Sequence, residues 1–243
     1  KIEKANASKQ NNIKHPKPLI GNIAVEGLSQ LNVNILDRFQ LGSLLLEVSK
    51  ISSPDLSELP AHILDDYSER ILTVRVIGEG EIKKGEVLVH NPKIFKVKVI
   101  TLSDRASKGI YEDRSGALII EKLNGFFTEI GWEFKIDKKI IPDSREDLLA
   151  QIKDATLNEY DLIFTTGGTG IGSRDITVSV VKPLLHQEIP GVMEHIRLKY
   201  GSIKPNALLS GGVAGTIETA IIYTLPGSVK AVTEYMQEIL VTL

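Results

Sequence analysis

The sequence predicts an α/β protein: a three-layer α/β/α sandwich with a mostly parallel sheet, preceded by a smaller, mainly β domain. Residues 95–243 alternate short apolar strands with amphipathic helices, which favours parallel strands covered on both faces. Residues 21–90 instead contain short β-branched segments separated by turn signals. The pattern changes at Asn91-Pro92-Lys93. We therefore predict one domain over residues 1–92 and a second over residues 93–243.

The composition excludes several classes of protein. The 243 residues are 42% hydrophobic and carry a net charge of −2, so the chain can bury a core and lacks the broad basic surface that nucleic acid binding requires. Its lack of cysteine excludes thiolate zinc sites, iron–sulfur clusters and cysteine nucleophiles. No apolar run approaches the roughly 18 residues of a membrane helix. We expect a cytoplasmic protein that binds neither nucleic acid nor a membrane.

The first 90 residues give weaker signals. Residues 1–18 are polar and predict an exposed or loosely packed arm. The strongest strand signals are Leu44–Val48 and Ile71–Ile77. Turn signals at 78–80 and 83–85 follow the second of them.

The second half contains four predicted strands, each followed by a polar loop. The strands are Phe95–Leu102, Phe134–Ile141, Leu162–Thr166 and Ala220–Leu225. The predicted helices are Ala117–Ile130, one that starts at Ser144 with Asp147 completing a helix-start box, and Val229–Leu240.

The most informative segment is the loop after the third of these strands. In residues 162–175 an apolar strand ends in glycines, hydroxyl side chains and an Arg-Asp pair. Glycines allow close approach of the backbone to a ligand, and unpaired N–H groups in such a loop favour phosphate. The loop lacks the Gly-Lys-Ser/Thr of a Walker A motif and the spacing of a dinucleotide-binding motif. A plain glycine-rich turn is the alternative.

The four loops are expected to meet in one cleft, because the carboxyl ends of parallel strands share one edge of the sheet. Asp143 and Asp175 then become candidates for holding Mg²⁺, which prefers one or two carboxylates together with substrate phosphates. The alternatives are structural: Asp143 as a turn residue at a helix start, and Asp175 as the N-cap of a helix that begins near Thr177.

Other polar residues are weaker candidates. Ser103 and Ser228 lack the Gly-x-Ser-x-Gly context of a nucleophile and are expected to donate hydrogen bonds to a ligand. His186 and His195 are nine residues apart, unlike a helical zinc pair, and we expect both to be ordinary surface or core histidines. The pairs Asp104-Arg105 and Asp113-Arg114 could equally be local ion pairs or substrate-binding groups.

These motifs carry a family resemblance. Residues 95–243 resemble the MogA/MoaB group of molybdenum cofactor biosynthesis proteins, which includes a domain of gephyrin. The matching segments are Ser103-Asp104-Arg105, Gly109, Tyr111, Asp113-Arg114-Ser115-Gly116, Ile141-Pro142-Asp143, Thr165 to Gly170, Arg174-Asp175, Thr177, Pro190-Gly191 and Leu225-Pro226-Gly227-Ser228.

The resemblance implies ATP-dependent adenylylation of molybdopterin, assisted by Mg²⁺, with release of pyrophosphate. It also implies a homotrimer and a possible molybdenum-insertion protein as partner. Carried onto this chain, it assigns catalysis and Mg²⁺ binding to Asp175 and Asp143. The expected substrate-binding residues are Ser103, Asp104, Thr166, Gly167, Gly168, Thr169, Gly170, Arg174, Thr177, Pro226, Gly227 and Ser228.

The chain also departs from the family pattern. Val178-Ser179 stands where the family commonly has proline and an acidic residue, and Gly211-Gly212 follows Ser210 where arginine is common. The segment 216–219 also lacks a usual basic residue. Weaker phosphate binding is expected. Two alternative functions therefore stay open: a non-catalytic molybdopterin-binding or carrier protein, and a protein-interaction scaffold on the same fold.

The N-terminal domain resembles parts of a MOSC domain, a β-rich module associated with molybdenum cofactor sulfuration. The similar pieces are Lys14-His15-Pro16, Gly21 to Gly27, Leu41 to Ile51 and Arg75 to Glu86. The cysteine expected after Ile51 is absent, so sulfur transfer through that residue is excluded. We expect a reduced domain with a structural or cofactor-handling role.

Overall fold

The computed structural model describes residues 4–6, 25, 28–52 and 71–243. The chain divides into two compact units, residues 1–93 and residues 94–243. The first contains an antiparallel sheet, and the second a mostly parallel sheet with helices on both faces. The predicted α/β fold class, with a smaller mainly β part before it, is confirmed.

The N-terminal unit is a five-stranded sheet in the order β1-β5-β2-β3-β4. Its strands are β1 (Lys4–Asn6), β2 (Arg38–Leu41), β3 (Leu44–Ser52), β4 (Ile71–Val76) and β5 (Val87–Asn91). Both predicted strands are present, the first extended to Ser52. Within the predicted arm over residues 1–18, β1 pairs with β5, and the other residues lie outside the described ranges.

Buried charges in this sheet are matched by partners. Asp37 is 1% exposed, accepts hydrogen bonds from the backbone N–H groups of Asn34 and Lys93, and lies 2.8 Å from His90 Nε2. Glu47 contacts the guanidinium groups of Arg38 and Arg75. A buried carboxylate without such partners would be strongly destabilising, so these contacts allow polar residues inside a small sheet.

The second unit contains a six-stranded sheet in the order β7-β6-β8-β11-β10-β9. Its first four strands are parallel, and β10 and β9 are antiparallel additions at one edge. The strands are β6 (Ile94–Leu102), β7 (Glu133–Ile141), β8 (Leu162–Thr166), β9 (Gln187–Glu188), β10 (Ala214–Ile217) and β11 (Ala220–Leu225). The four predicted strands are confirmed to within one residue, whereas β9 and β10 are additional.

Helices cover both faces of this sheet. They are α1 (Asp104–Ser107), α2 (Arg114–Glu129), α3 (Arg145–Leu157), α4 (Thr177–Val181), α5 (Pro190–Gly201) and α6 (Val229–Ile239). Apolar side chains of α2, α5 and α6 form a core on one face, and those of α3 and α4 form a core on the other. The Ser144 side chain accepts a hydrogen bond from Asp147 N, which confirms the predicted helix start.

The helix α2 begins three residues before its predicted start because Asp113 is its N-cap. The buried Asp113 carboxylate accepts hydrogen bonds from Gly116 N and Thr101 Oγ1, both at 2.8 Å. Lys138 Nζ lies 2.8 Å from the same carboxylate. Burial works to raise the pKa of Asp113, but these partners hold it below its usual value. The possible local pair with Arg114 is therefore wrong, because Asp113 pairs with Lys138 of β7 instead.

The carboxylate of Glu238 joins α6 to α5. It lies 2.7 Å from Lys199 Nζ and 2.8 Å from His195 Nε2, and it accepts a hydrogen bond from the Tyr200 hydroxyl at 3.0 Å. The Lys199 ammonium, and then His195 and Tyr200, lower the pKa of Glu238 from 4.5 to about 2, although burial opposes this shift.

We expect this carboxylate to stabilise the fold above pH 4.5 and to lose that contribution as the pH falls towards 2. Glu238→Gln should therefore lower the free energy of unfolding at pH 7 by about 1 kcal/mol, because its cationic partners are half exposed. The deficit should shrink on acidification in denaturant titrations at pH 7 and pH 3. Glu218→Gln, at an exposed carboxylate 3.5 Å from His186, is the control. A deficit that is equal at both pH values would contradict the assignment.

No helix among the described residues is long and apolar enough to cross a membrane.

Candidate functional site

The loop after β8 has a backbone that requires glycine. Gly167 and Gly168 adopt φ angles of +102° and +63°. A Cβ atom on Gly167 would lie 2.5 Å from the carbonyl oxygen of Leu102, at the end of β6. Gly167 N donates to the Leu225 carbonyl at the end of β11. The loop therefore starts in the narrow space between the ends of the two neighbouring strands.

Two buried threonines hold this loop in place. Thr166 Oγ1 donates to the Pro226 carbonyl at 2.8 Å, and Thr177 Oγ1 donates to the Gly167 carbonyl at 2.7 Å. Thr177 N donates to the Gly168 carbonyl at 3.0 Å. Both threonines are fully buried. Their hydroxyls bind backbone carbonyls and hold the loop in place, and ligand contacts by these two residues stay predictions.

The backbone N–H groups at the tip of the loop are left unused by the described part of the chain. Among the described residues, none accepts a hydrogen bond from the N–H of Gly168, Thr169 or Gly170. Successive unpaired N–H groups in a glycine loop form a concavity suited to phosphate oxygens. The tip of the loop therefore has the donors that the sequence predicted.

Asp175 lies on a turn beside this loop. Its Oδ2 accepts a hydrogen bond from Gly172 N at 2.8 Å, and its own N–H donates to the Gly172 carbonyl at 3.0 Å. The helix α4 begins at Thr177, as predicted, but its N-cap position is Ile176 and no side chain caps it. The possible N-cap role of Asp175 is therefore wrong. Its Oδ1 accepts no hydrogen bond from a described residue and is free for a ligand.

The loop and Asp175 line a cavity of about 610 Å³. Gly167 to Ile171 form one part of its wall, and Pro226, Gly227 and Ser228 form another. The rest comes from α5, α6 and the segment between α5 and β10, including Arg197, Lys204, Ser210, Lys230, Glu234 and Tyr235. The Ser228 hydroxyl also caps α6 by accepting from Ala231 N. Arg174 is exposed and lies outside this wall.

The other two predicted loops do not line this cavity. Asp104 and Asp143 bind one another: Asp143 N donates to Asp104 Oδ1 at 3.1 Å, and Asp104 N lies 3.4 Å from Asp143 Oδ2. Ser103 caps α1 by accepting from Ala106 N. The order of the strands explains why these two loops lie apart from the loop after β8. The strand β6 is next to β8, about 5 Å away, and β7 is one strand further, about 10 Å away. Ligand contacts by these three residues stay predictions.

The carboxylate oxygens at this site could hold Mg²⁺ only if phosphate oxygens of a substrate completed its coordination. Among residues 28–52 and 71–243, no group of three or more acidic or histidine side chains is arranged to hold a metal. Mg²⁺ is commonly bound through one or two carboxylates plus substrate phosphates and water. The free oxygen of Asp175 in a phosphate-compatible cavity fits that arrangement. Joint binding by Asp143 stays a prediction.

Several residues in or beside the cavity were not among the predicted site residues. Arg197 Nη1 donates to the Gly212 carbonyl at 3.0 Å, and the Tyr235 hydroxyl donates to Ser210 Oγ at 2.8 Å. A Cβ on Gly212 would lie 2.7 Å from the Thr224 carbonyl, so glycine is needed there. Lys230 and Glu234 are four residues apart on the last predicted helix. This i, i+4 spacing places both side chains on one face of the helix, and it is the pattern in the sequence that could have indicated them.

The remaining predicted alternatives are resolved by contacts. His186 and His195 are surface residues that lie beside Glu218 and Glu238. The guanidinium groups of Arg105 and Arg114 both lie 5.3 Å from the centre of the Tyr111 ring. Arg105 therefore does not form the possible local pair with Asp104.

Ser179, at a departure from the family pattern, is held by two hydrogen bonds. Its hydroxyl donates to the Ile176 carbonyl at 2.8 Å and accepts from Arg145 Nη2 at 2.7 Å. Val178 packs against the core beneath α3 and α4. Both substitutions are accommodated by α4 without a buried group left unpaired.

Comparison with known proteins matches the second unit. Residues 98–243 match the family described as "Probable molybdopterin binding domain". A molybdopterin adenylyltransferase of Pyrococcus furiosus is 39% identical over 146 residues, which cover 58% of this chain and 82% of that protein. Gephyrin of Dictyostelium discoideum is 39% identical over 150 residues, 59% of this chain but 21% of that longer protein.

A solved structure gives the same result. The tungsten cofactor synthesizing protein MoaB from Pyrococcus furiosus is 38% identical and superposes with a TM-score of 0.54, covering 61% of this chain and 91% of that one. These matches confirm the predicted resemblance for the second unit, while the MOSC-like character of residues 1–92 stays a prediction. With a family match over more than half of its length, the chain belongs to the molybdopterin-binding family of molybdenum cofactor biosynthesis proteins.

Proposed function

We propose that this chain adenylylates molybdopterin with Mg²⁺ and ATP and releases pyrophosphate. The observation that carries the proposal is the cavity in which unpaired loop N–H groups adjoin the free carboxylate oxygen of Asp175. Relatives 39% and 36% identical, from Pyrococcus furiosus and Helicobacter pylori, are named molybdopterin adenylyltransferases. The arrangement supplies what nucleotidyl transfer needs, which is positioning and neutralisation of phosphate charge.

In the proposed reaction, an oxygen of the terminal phosphate of molybdopterin attacks the α-phosphorus of ATP. A phosphorus–oxygen bond forms to the pterin phosphate, and the bond from the α-phosphorus to the oxygen bridging to the β-phosphorus breaks. Pyrophosphate leaves with that electron pair. The loop N–H groups of Gly168, Thr169 and Gly170 hold phosphate oxygens, while Thr166 and Thr177 keep the loop rigid.

Asp175 would hold Mg²⁺ together with substrate phosphates. Bound there, the cation would neutralise charge on the phosphate oxygens. Asp175 is fixed by Gly172 N, so its carboxylate needs no rearrangement to act. Asp143 takes a supporting role in the proposal, because its contacts with Asp104 couple the loops after β6 and β7. Assembly into a homotrimer and transfer of the product to a molybdenum-insertion protein belong to the same proposal.

One observation favours the alternative of a non-catalytic molybdopterin carrier. Ser179 stands where the family commonly has an acidic residue, and its hydroxyl accepts a hydrogen bond from Arg145. A carrier would use the same cavity but would lack efficient turnover.

The test is release of pyrophosphate by the full chain from ATP and Mg²⁺, with and without purified molybdopterin. We expect release that requires both the pterin and Mg²⁺. Saturable binding of molybdopterin with no release, under conditions where a purified relative is active, would contradict the transferase and favour the carrier.

A further inference from the structure

Two lysines from different segments line the same cavity. Lys204 follows α5, and Lys230 lies in the first turn of α6. Lys204 Nζ donates to Glu234 Oε1 at 3.1 Å. Lys230 and Glu234 are four residues apart on α6, so Lys230 and the Lys204–Glu234 contact share one face of that helix. The Lys204 ammonium also lowers the pKa of Lys230.

The charges around this pair leave an excess of positive charge in the cavity. Five charged side chains line it: Arg197, Lys204 and Lys230 are cationic, and Asp175 and Glu234 are acidic. Arg197 is engaged by the carbonyls of Ser210 and Gly212, and Glu234 is engaged by Lys204. Lys230 forms no salt bridge with any residue that the structure describes.

Two like charges on one wall of a cavity repel one another, and an anion bound between them would remove that repulsion. We propose that Lys204 and Lys230 together bind a phosphate group, with Glu234 as the residue that positions Lys204. The ligand class is a phosphate monoester or polyphosphate, supplied either by the triphosphate of ATP or by the terminal phosphate of the pterin. This inference rests on the proposed function and deepens it. It places the phosphate-binding lysines on α6 and on the segment after α5, whereas the arginine that the family commonly carries after Ser210 is replaced here by Gly211-Gly212.

The alternative is that these contacts only stabilise the fold, and it predicts different results. If Lys204 and Glu234 only join α6 to the segment after α5, replacing either one should affect stability alike and leave anion binding unchanged. If the lysines form a phosphate site, removal of a lysine and removal of the glutamate should change anion binding in opposite directions, because Glu234 competes with the anion for Lys204.

The test is direct binding of inorganic tripolyphosphate to the full chain by calorimetry, without pterin and without turnover. We expect Lys204→Ala and Lys230→Ala each to weaken binding roughly tenfold, and Glu234→Gln to tighten it about threefold. Lys153→Ala, which removes the same charge from an exposed position on α3 outside the cavity, should leave binding unchanged. Thermal unfolding of each variant verifies that it is folded.

The proposal is overturned if wild type does not bind tripolyphosphate, or if folded Lys204→Ala and Lys230→Ala variants bind it as tightly as wild type. It is equally overturned if Glu234→Gln weakens binding as much as the lysine variants do. Because this assay involves no catalysis, loss of pyrophosphate release with intact tripolyphosphate binding removes the transferase and leaves the phosphate site standing. If turnover is observed, the KM that rises in the lysine variants, for ATP or for molybdopterin, identifies the source of the phosphate.

Discussion

Asp175→Asn is expected to lower pterin-dependent release of pyrophosphate by about 100-fold or more, without unfolding the protein. Asparagine retains an oxygen that can accept the hydrogen bond from Gly172 N, so the turn should be preserved. What the variant lacks is the negative charge that would hold Mg²⁺ and substrate phosphates. The loss should therefore fall mainly on kcat and kcat/KM, measured under saturating ATP and Mg²⁺.

Two further variants sharpen this prediction. Asp143→Asn should reduce activity less than Asp175→Asn, because Asp143 binds Asp104 and lies outside the cavity wall. Asp154→Asn, at a half-exposed carboxylate on α3, is the charge-matched control and should retain activity. Equal losses in Asp143→Asn and Asp175→Asn would contradict the assignment of Asp175 as the principal catalytic residue.

Gly167→Ala is expected to lower both the stability of the fold and its activity. Alanine is strained at φ +102°, and its Cβ would lie 2.5 Å from the Leu102 carbonyl, which belongs to the backbone of a central strand. We expect a loss of about 2–4 kcal/mol in the free energy of unfolding, from backbone strain and overpacking together. Activity should fall in the fraction that remains folded, because the loop must shift to accept the methyl group.

Gly125→Ala is the matched control for this substitution. Gly125 lies within α2, and nothing lies within 4 Å of a Cβ placed on it. Alanine there should stabilise the protein by roughly 0.5–1 kcal/mol through its higher helix propensity. Denaturant unfolding that gives the same sign for both variants would contradict the steric role assigned to Gly167.

The parallel part of the fold could be predicted from sequence because its inner strands β6, β8 and β11 are largely buried. All five residues of β8 are buried, and its first three, Leu162 to Phe164, form an apolar run. The strands β9 and β10 could not be found in this way. β9 has two residues, and β10 contains Gly215, where a Cβ would lie 2.5 Å from the Gln187 carbonyl. Because β9 and β10 approach closely at this point, only glycine fits there. β10 therefore lacks the run of apolar side chains by which a strand is recognised in a sequence.

The site was predictable only where its residues follow strands. The glycine loop and Asp175 were found because they follow β8, whereas Lys204 and Lys230 belong to helix ends whose orientation is decided by packing on the sheet. The expectation that four loops form one cleft rested on their shared edge. The order of the strands could not be derived from the sequence. In the structure β7, the strand before Asp143, lies two strands away from β8.

The proposed activity of this cavity is transfer of an adenylyl group from ATP onto the pterin phosphate. The most direct measurement uses ATP labelled at the α-phosphate, incubated with Mg²⁺, molybdopterin and either wild type or Asp175→Asn. Wild type should yield labelled adenylylated pterin in amounts equal to the pyrophosphate released, and Asp175→Asn should yield little of either. Label that stays in ATP or appears as free AMP with the folded wild-type protein would contradict this prediction.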